Sequence, residues 1–212
     1  MKPEKPGRRE RKKQEVRKRI LDRAMELFEK DGFDNVTMER IAEAADVAKG
    51  TLYNYFPAKE AILSGYIQKY AQDLTPEVDR IITSVPDTRS RLVAIFLKHA
   101  AWIEDRQDLM EKYIIYRISV PFRSLRESTS RSGFEEHITR VLALGQDIGD
   151  VQRDFEARTL SGCLMSFYTW VYFGWLSVSE AFDLNLAIHR TVDLFLDGAG
   201  AKTEGETKDE NR

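Results

Sequence analysis

Apolar residues recur along most of this chain at steps of three and four, the spacing that lines one face of an α-helix. Val16, Ile20, Ala24, Leu27 and Phe28 form the first such stripe, and Gly32 follows where a helix C-terminus favours glycine. Thr37 is placed to cap a short helix whose inward face is Ile41, Ala42 and Ala45. A turn at Asp46 and Val47 leads into a second short helix through Tyr55, and Pro57 suits the first position of the next one. Ile62, Leu63, Tyr66, Ile67, Tyr70 and Leu74 carry that longer helix. Thr75-Pro76 predicts a restart, and Pro86-Asp87 a break. Leu92, Ile95, Phe96, His99, Trp102 and Ile103 make one further stripe, and Leu109, Met110, Tyr113 and Arg117 another, interrupted at Pro121. Phe134, Ile138, Val141, Leu142 and Gly145 continue the pattern to a stop near Gly149. Asp154 and Ser179 are candidate caps for the last two helices, the second running through Phe195 with Gly198 beyond it. No period-two alternation, internal repeat or Gly-rich phosphate loop interrupts this picture. It predicts an all-α chain with a small front unit and a larger helical bundle behind it.

The segment from Thr159 to Ser179 carries no charge and is about as long as the ~20 residues a membrane helix needs. Its serines, threonines and two glycines, and aromatics spread along it rather than belted at its ends, argue against a membrane span. A helix apolar on all sides is equally served by burial between its own core and a second protein surface.

Charge changes the picture at the front end. The 212 residues carry a formal net charge of only -2. Residues 1 to 23, however, hold 11 Lys/Arg against 4 Asp/Glu, which leaves the remainder strongly acidic. A basic front on an acidic body points to a polyanionic partner there, or else to a solvated leader. Cys163 is the single cysteine, so neither an intrachain disulfide nor a thiolate metal cluster is available. His99, His137 and His189 lie far apart with no ligand-spaced neighbours, so neither a metal nor a cofactor is expected. The N-terminus lacks the apolar run of a secretory signal, and a cytoplasmic chain is expected.

Two short helices joined by a tight turn and braced by a longer one describe a helix-turn-helix, whose second helix enters the DNA major groove. The stretch AKGTLYNYFPAKEA, residues 48–61, then separates into two faces. Leu52 and Phe56, four apart, face inward, leaving Lys49, Gly50, Tyr53 and Asn54 outward with Thr51 at the flank. Gly50 allows close approach to a base, while hydroxyls and ammonium groups position a protein on phosphates. Lys59 stands at the start of the following helix, where free N–H groups also attract phosphate.

The run TMERIAEAADVAKGTLYNYFPAKEAIL, Thr37 to Leu63, resembles the DNA-binding region of the TetR family of transcriptional regulators. The threonine, the I-A-x-x-A core, the V-x-K-G-T-L-Y turn-and-helix, the Y-x-Y-F end and the K-E-A start of the next helix occur in order, and the Gly32-Phe33 close of the first helix agrees. The likeness spans about residues 15 to 65. Asp46 stands where the family usually has a glycine in a left-handed turn, and Ala48 where it often has a capping serine. The resemblance implies a homodimer on a near-palindromic double-stranded operator, usually as a repressor, with a ligand site in the C-terminal domain. Carried over by position, Thr37, Thr51, Tyr53, Tyr55 and Lys59 contact phosphates and Lys49 and Gly50 lie nearest the bases. Residues 1–14 are then a flexible basic arm, with Arg8 to Lys13 able to reach a minor groove. Residues 15–62 are the three-helix DNA-binding domain, 63–199 the helical ligand-binding and dimerisation domain, and 200–212 a disordered tail.

The homodimer contact expected from both readings uses the helices at 155–178 and 179–197, including Ala181, Phe182, Ile188, Val192 and Phe195. Twofold symmetry would set the two reading helices ~34–36 Å apart. Candidate ligand-pocket residues are Phe96, His99, Trp102, Tyr113, Arg117, Phe167 and Trp170, with Phe122, Tyr168 and Tyr172 nearby in the pattern; ordinary core packing is the competing reading. Arg117 on an apolar stripe needs a partner: Asp105, Glu111 or an anionic ligand. No nucleophile–base pair or metal set suggests an enzyme. The expectation is a DNA-binding regulator, a repressor released by a small molecule; an architectural or adaptor protein of the same fold without sensing is the alternative.

Overall fold

A computed structural model describes residues 7–119, 133–177 and 182–198, with the side chains of residues 117–119 excepted. Among these residues every regular element is an α-helix: α1 (Arg8–Asp31), α2 (Met38–Ala44), α3 (Lys49–Tyr55), α4 (Lys59–Asp73), α5 (Thr75–Ser84), α6 (Thr88–Glu104), α7 (Gln107–Ser119), α8 (Phe134–Ile148), α9 (Ala157–Ser177) and α10 (Leu184–Asp197). The expected interruption at Pro121, Phe122, Ser179, Ala181 and the 200–212 tail lie outside the described residues.

The chain divides into two compact units, the first of residues 1–79 and 101–137, the second of residues 80–100 and 138–212. In the first, Ile20, Leu21, Ala24, Met25 and Phe28 of α1, Ile41 and Ala42 of α2, Leu52 of α3 and Ile62, Leu63 and Ile67 of α4 are buried. Each of these side chains except the two alanines contributes about 1.5–3 kcal/mol of transfer free energy. α1 packs on α2 and α4, α2 on α3, and α4 on α7. Gly65 makes the α1–α4 crossing close: a Cβ there would stand 2.9 Å from both Phe56 Cε1 and Arg17 Nη2. Trp102 stacks on Tyr70 with ring centroids 3.9 Å apart, and the Arg106 guanidinium lies 5.1 Å from the centre of the same indole. His137 Nε2–H donates to Ala71 O at 2.7 Å, so α8 supplies a side-chain cap for the last turn of α4.

In the second unit Leu92, Ile95 and Phe96 of α6, Ile138, Val141 and Leu142 of α8, Leu164 and Tyr168 of α9, and Ile188 and Val192 of α10 are buried. α10 lies along α9. Arg89 reaches the last turn of α10, pairing with Asp193 and, at 2.7 Å, with Asp197.

Five boundaries differ from the expectation. α1 begins at Arg8, capped by Gly7, so it takes in half of the segment set apart as a flexible arm. The run RRERKKQ is made of good helix formers, and nothing in it stops the helix. Pro57 precedes α4, whose cap is Ala58, and is not its first residue. Leu74, in helical conformation, is the only residue between α4 and α5, so Thr75 is inside α5 and caps nothing. The last helix starts at Leu184 with the Asp183 carboxylate accepting from Leu186 N at 2.9 Å, later than the Ser179 start expected. Asp154 does not cap α9 either: Glu156 O accepts from Thr159 N and Leu160 N at its start. No described helix is long and apolar enough to cross a membrane.

Candidate nucleic-acid interface

The α2–turn–α3 segment is built by local chemistry. Thr37 opens α2, its hydroxyl accepting from Arg40 N at 3.3 Å. α2 ends at Ala45, whose N–H donates to Ile41 O, and the chain then turns on Asp46 at φ 50. Asp46 is the non-glycine residue with positive φ among those described, in the left-handed conformation that the missing family glycine would supply without cost. Ala48 starts α3 with no side-chain hydrogen bond, so the absent serine hydroxyl is not replaced from within the chain.

α3 presents the two faces read from its sequence. Leu52 and Phe56 are buried; Lys49, Gly50, Tyr53 and Asn54 are exposed, with Thr51 and Tyr55 half-buried beside them. Nothing lies within 4 Å of a Cβ built on Gly50, so that face is open. Thr37 is exposed at the start of α2. Tyr55 borders a shallow groove of about 850 Å³ shared with Arg11, Lys13, Arg17 and Lys18 of α1. The basic first turns of α1 thus run beside the end of α3 as helix.

Besides Thr37, whose hydroxyl caps α2, both lysines among the seven candidate DNA contacts are already engaged. Lys49 pairs with Glu39 of α2, which holds the Glu39 carboxyl below its ordinary range and raises the Lys49 ammonium above its own. Lys59 has the stronger commitment. Its Nζ donates to Phe33 O at 2.7 Å, Asp34 O at 3.2 Å and Val36 O at 3.3 Å, and stands 4.6 Å from the centre of the Phe33 ring. An ammonium has three protons, and all three are used. Lys59 therefore pins the α1–α2 connection to the head of α4, a role that its position at a helix start did not suggest. Sequence reading also missed Glu39, Arg40 and Asp34. Arg40 pairs with Asp31 at 2.8 Å, and Asp34 with Lys112 of α7 at 2.9 Å. Pairs separated by nine or more residues leave no periodic signal; only the helix-turn-helix geometry brings Glu39 to Lys49.

The seven candidate pocket residues divide between the two units. Phe96 and His99 are buried in the second unit against Tyr168. The Tyr168 hydroxyl donates to Phe96 O at 3.1 Å and lies 3.0 Å from His99 Nδ1 and 2.9 Å from Tyr172 Oη. Burial pushes the His99 imidazole down to about 3, so it is neutral. Phe167 and Trp170 lie on the opposite, exposed side of α9, Trp170 at 76% of its full exposure. Trp102 and Tyr113 belong to the first unit, half-buried, and the Arg117 side chain lies outside the described residues. None of the seven lines the open cleft of about 750 Å³ between the α1–α2 connection and the start of α7, whose walls include Glu29, Asp34, Asp105 and Asp108. No group of three potential metal ligands occurs among the described residues.

Comparison with known proteins places this geometry among bacterial regulators. Residues 20–65 match the family described as bacterial regulatory proteins, tetR family. The HTH-type transcriptional repressor KstR of Mycolicibacterium smegmatis is 42% identical over 66 residues, 31% of this chain and 32% of its own. Against that relative the chain therefore matches about a third of the length. The HTH-type transcriptional repressor KstR2 of Rhodococcus jostii is 25% identical over 187 residues, 86% of this chain and 90% of its own. The crystal structure of Thermus thermophilus FadR, a TetR family transcriptional repressor in complex with lauroyl-CoA, superposes with a TM-score of 0.78 at 27% identity, covering 88% of this chain and 96% of the other.

Proposed function

Because the chain belongs to the TetR family of bacterial regulatory proteins, we propose that it is a dimeric, sequence-specific DNA-binding repressor, released from its operator by a small molecule. The observation that carries the reading is the division of α3 into a buried Leu52–Phe56 face and an exposed Lys49–Gly50–Tyr53 face, set on a capped α2 and a left-handed turn. Lys49 and Gly50 face base edges; Thr37, Thr51, Tyr53 and Tyr55 hold phosphates. Residues 15–62 form the reading head, and the remainder to residue 199 serves sensing and dimerisation. Ile188 and Val192, expected in the twofold contact, are buried within the chain, so the exposed Phe167 and Trp170 of α9, with Leu186 and Leu194 of α10, make that contact with a second copy. The protein works on cytoplasmic DNA and performs no chemical turnover.

The ligand class to which this reading commits is an acyl-CoA, the kind of molecule bound by the Thermus thermophilus relative. Ligand and operator favour different arrangements of the helices that follow α4, and the shift between them is bounded by the ligand's differential affinity, about 5- to 150-fold in typical couplings. The test is binding of the purified protein to duplexes enriched from a random pool and to scrambled duplexes, across a salt series, with and without lauroyl-CoA. Preference for one enriched sequence, with affinity falling steeply in salt, is the expected result. Equal binding to enriched and scrambled DNA would sink the regulator reading. Preference that lauroyl-CoA leaves unchanged would remove the acyl-CoA proposal and keep the DNA-binding one.

A further inference from the structure

The charges of the reading head are distributed against expectation. Residues 8–19 hold eight arginines and lysines against two glutamates, whereas residues 37–56, the helix-turn-helix itself, hold Arg40 and Lys49 against Glu39, Glu43 and Asp46. The part that enters the groove of a polyanion is net acidic. Its cations are also occupied: Lys49 by Glu39, and Arg40 by Asp31 at 2.8 Å. Lys59 at the edge of the same surface is held by three carbonyls. In contrast, Arg8, Arg9, Arg11, Lys12 and Lys13 are exposed, and among the described residues none has a side-chain partner. Capture of phosphate therefore falls to the first turns of α1, while α2–α3 adds almost no unspecific attraction of its own.

Glu39 and Lys49 are both exposed and lie at the front of their helices, Glu39 in the first turn of α2 and Lys49 as the first residue of α3. A lysine that turns fully to the DNA leaves its carboxylate. On an arbitrary sequence it exchanges one ion pair for another with a phosphate, and Glu39 is left without its lysine among phosphates. Only bases restore both groups: a guanine offers O6 and N7 to the lysine, and a cytosine N4 amino group offers a donor to the carboxylate. We propose that Glu39 is a specificity-determining residue, which holds Lys49 in the free protein and penalises every duplex that cannot give both side chains a base-edge partner. Discrimination then arises in part from repulsion of the wrong partner. This inference rests on the DNA-binding reading above and names the device by which that site selects.

The experiment compares the full-length wild type with Glu39→Gln and Glu43→Gln, the latter removing an exposed acid of the same helix that holds no lysine. Each is titrated with the duplex enriched by the wild type and with a scrambled duplex of equal composition, over a salt series. Glu39→Gln is expected to bind the scrambled duplex about fivefold more tightly, from the loss of one like-charge contact. The slope of log affinity on log salt for that duplex steepens by about 0.9, the value of one more neutralised phosphate. Affinity for the enriched duplex does not rise, so the specificity ratio falls about fivefold, while Glu43→Gln keeps the wild-type ratio. If Glu39→Gln tightens both duplexes equally, changes neither, or is matched by Glu43→Gln, Glu39 is an ordinary surface charge and the proposal is overturned. If the wild type itself enriches no sequence, the DNA-binding reading fails first, and that outcome is visible before any variant is made. Unfolding of all three proteins in denaturant is expected to coincide, which separates selection from folding.

Discussion

Leu52 is completely buried in a helix of seven residues. Such a helix is too short to persist on propensity, so its anchor decides whether the reading surface exists. Leu52→Ala is expected to cost about 2–5 kcal/mol in denaturant unfolding and to abolish operator binding with it. Asp46 gives a test of opposite sign. An L-residue in left-handed conformation is strained by about 1–2 kcal/mol, less for aspartate, so Asp46→Gly is expected to stabilise slightly and Asp46→Val to destabilise clearly. Lys59 separates two roles that share a residue type. Lys59→Met leaves three carbonyls without their donor and is expected to cost about 1–3 kcal/mol, with the salt slope of DNA binding unchanged. A lost phosphate contact would lower that slope by about 0.9 and leave unfolding alone. His99 sets a pH window. Its folded value, about 3, lies below the ordinary ~6.5 of the unfolded chain, so the unfolded state takes up the proton first. Its contribution is intact above about pH 6.5 and is lost at ~1.4 kcal/mol per unit as pH falls from there toward 3. His99→Asn keeps a donor near the Nδ1 position without that titration, and its unfolding free energy is expected to vary less between pH 6.5 and 5.

Helices with a strong stripe or an unambiguous cap were legible in the sequence. Gly32 ends α1 as expected, Thr37 caps α2, and the two faces of α3 follow from Leu52 and Phe56 standing four apart. Boundaries failed where several residues could serve. Ser179 and Asp183 both suit an N-cap, and only the structure shows Asp183 accepting from Leu186 N. The pocket residues show the limit of periodicity. Tyr168 and Trp170 are two apart on α9, so one is buried and the other exposed, and their shared aromatic character concealed it. At this scale a tight constraint is Gly65, where α1 and α4 meet beside Phe56. Gly65→Ala must displace the Phe56 ring or the Arg17 guanidinium and is expected to cost about 1–3 kcal/mol in unfolding. Because Phe56 ends α3, operator affinity is expected to fall along with stability.

For the whole molecule, the exposed Phe167 and Trp170 invite the simplest test of assembly. Trp170→Glu is expected to convert a dimer into monomers in sedimentation and to weaken operator binding, because two half-sites then have to be held separately. The first compact unit bears on how regulators of this kind can be recombined. It is discontinuous in sequence: residues 101–137 return to complete what residues 1–79 begin. Trp102 covers Tyr70, His137 closes the last turn of α4, and Lys112 meets Asp34. A hybrid made by splicing residues 1–79 onto a foreign sensor would leave all three behind. It would carry a bare tyrosine ring, an uncapped helix end and an acid without its base into the new protein. Modular exchange in this chain therefore needs three junctions, with the 101–137 stretch travelling alongside the reading head as its cargo.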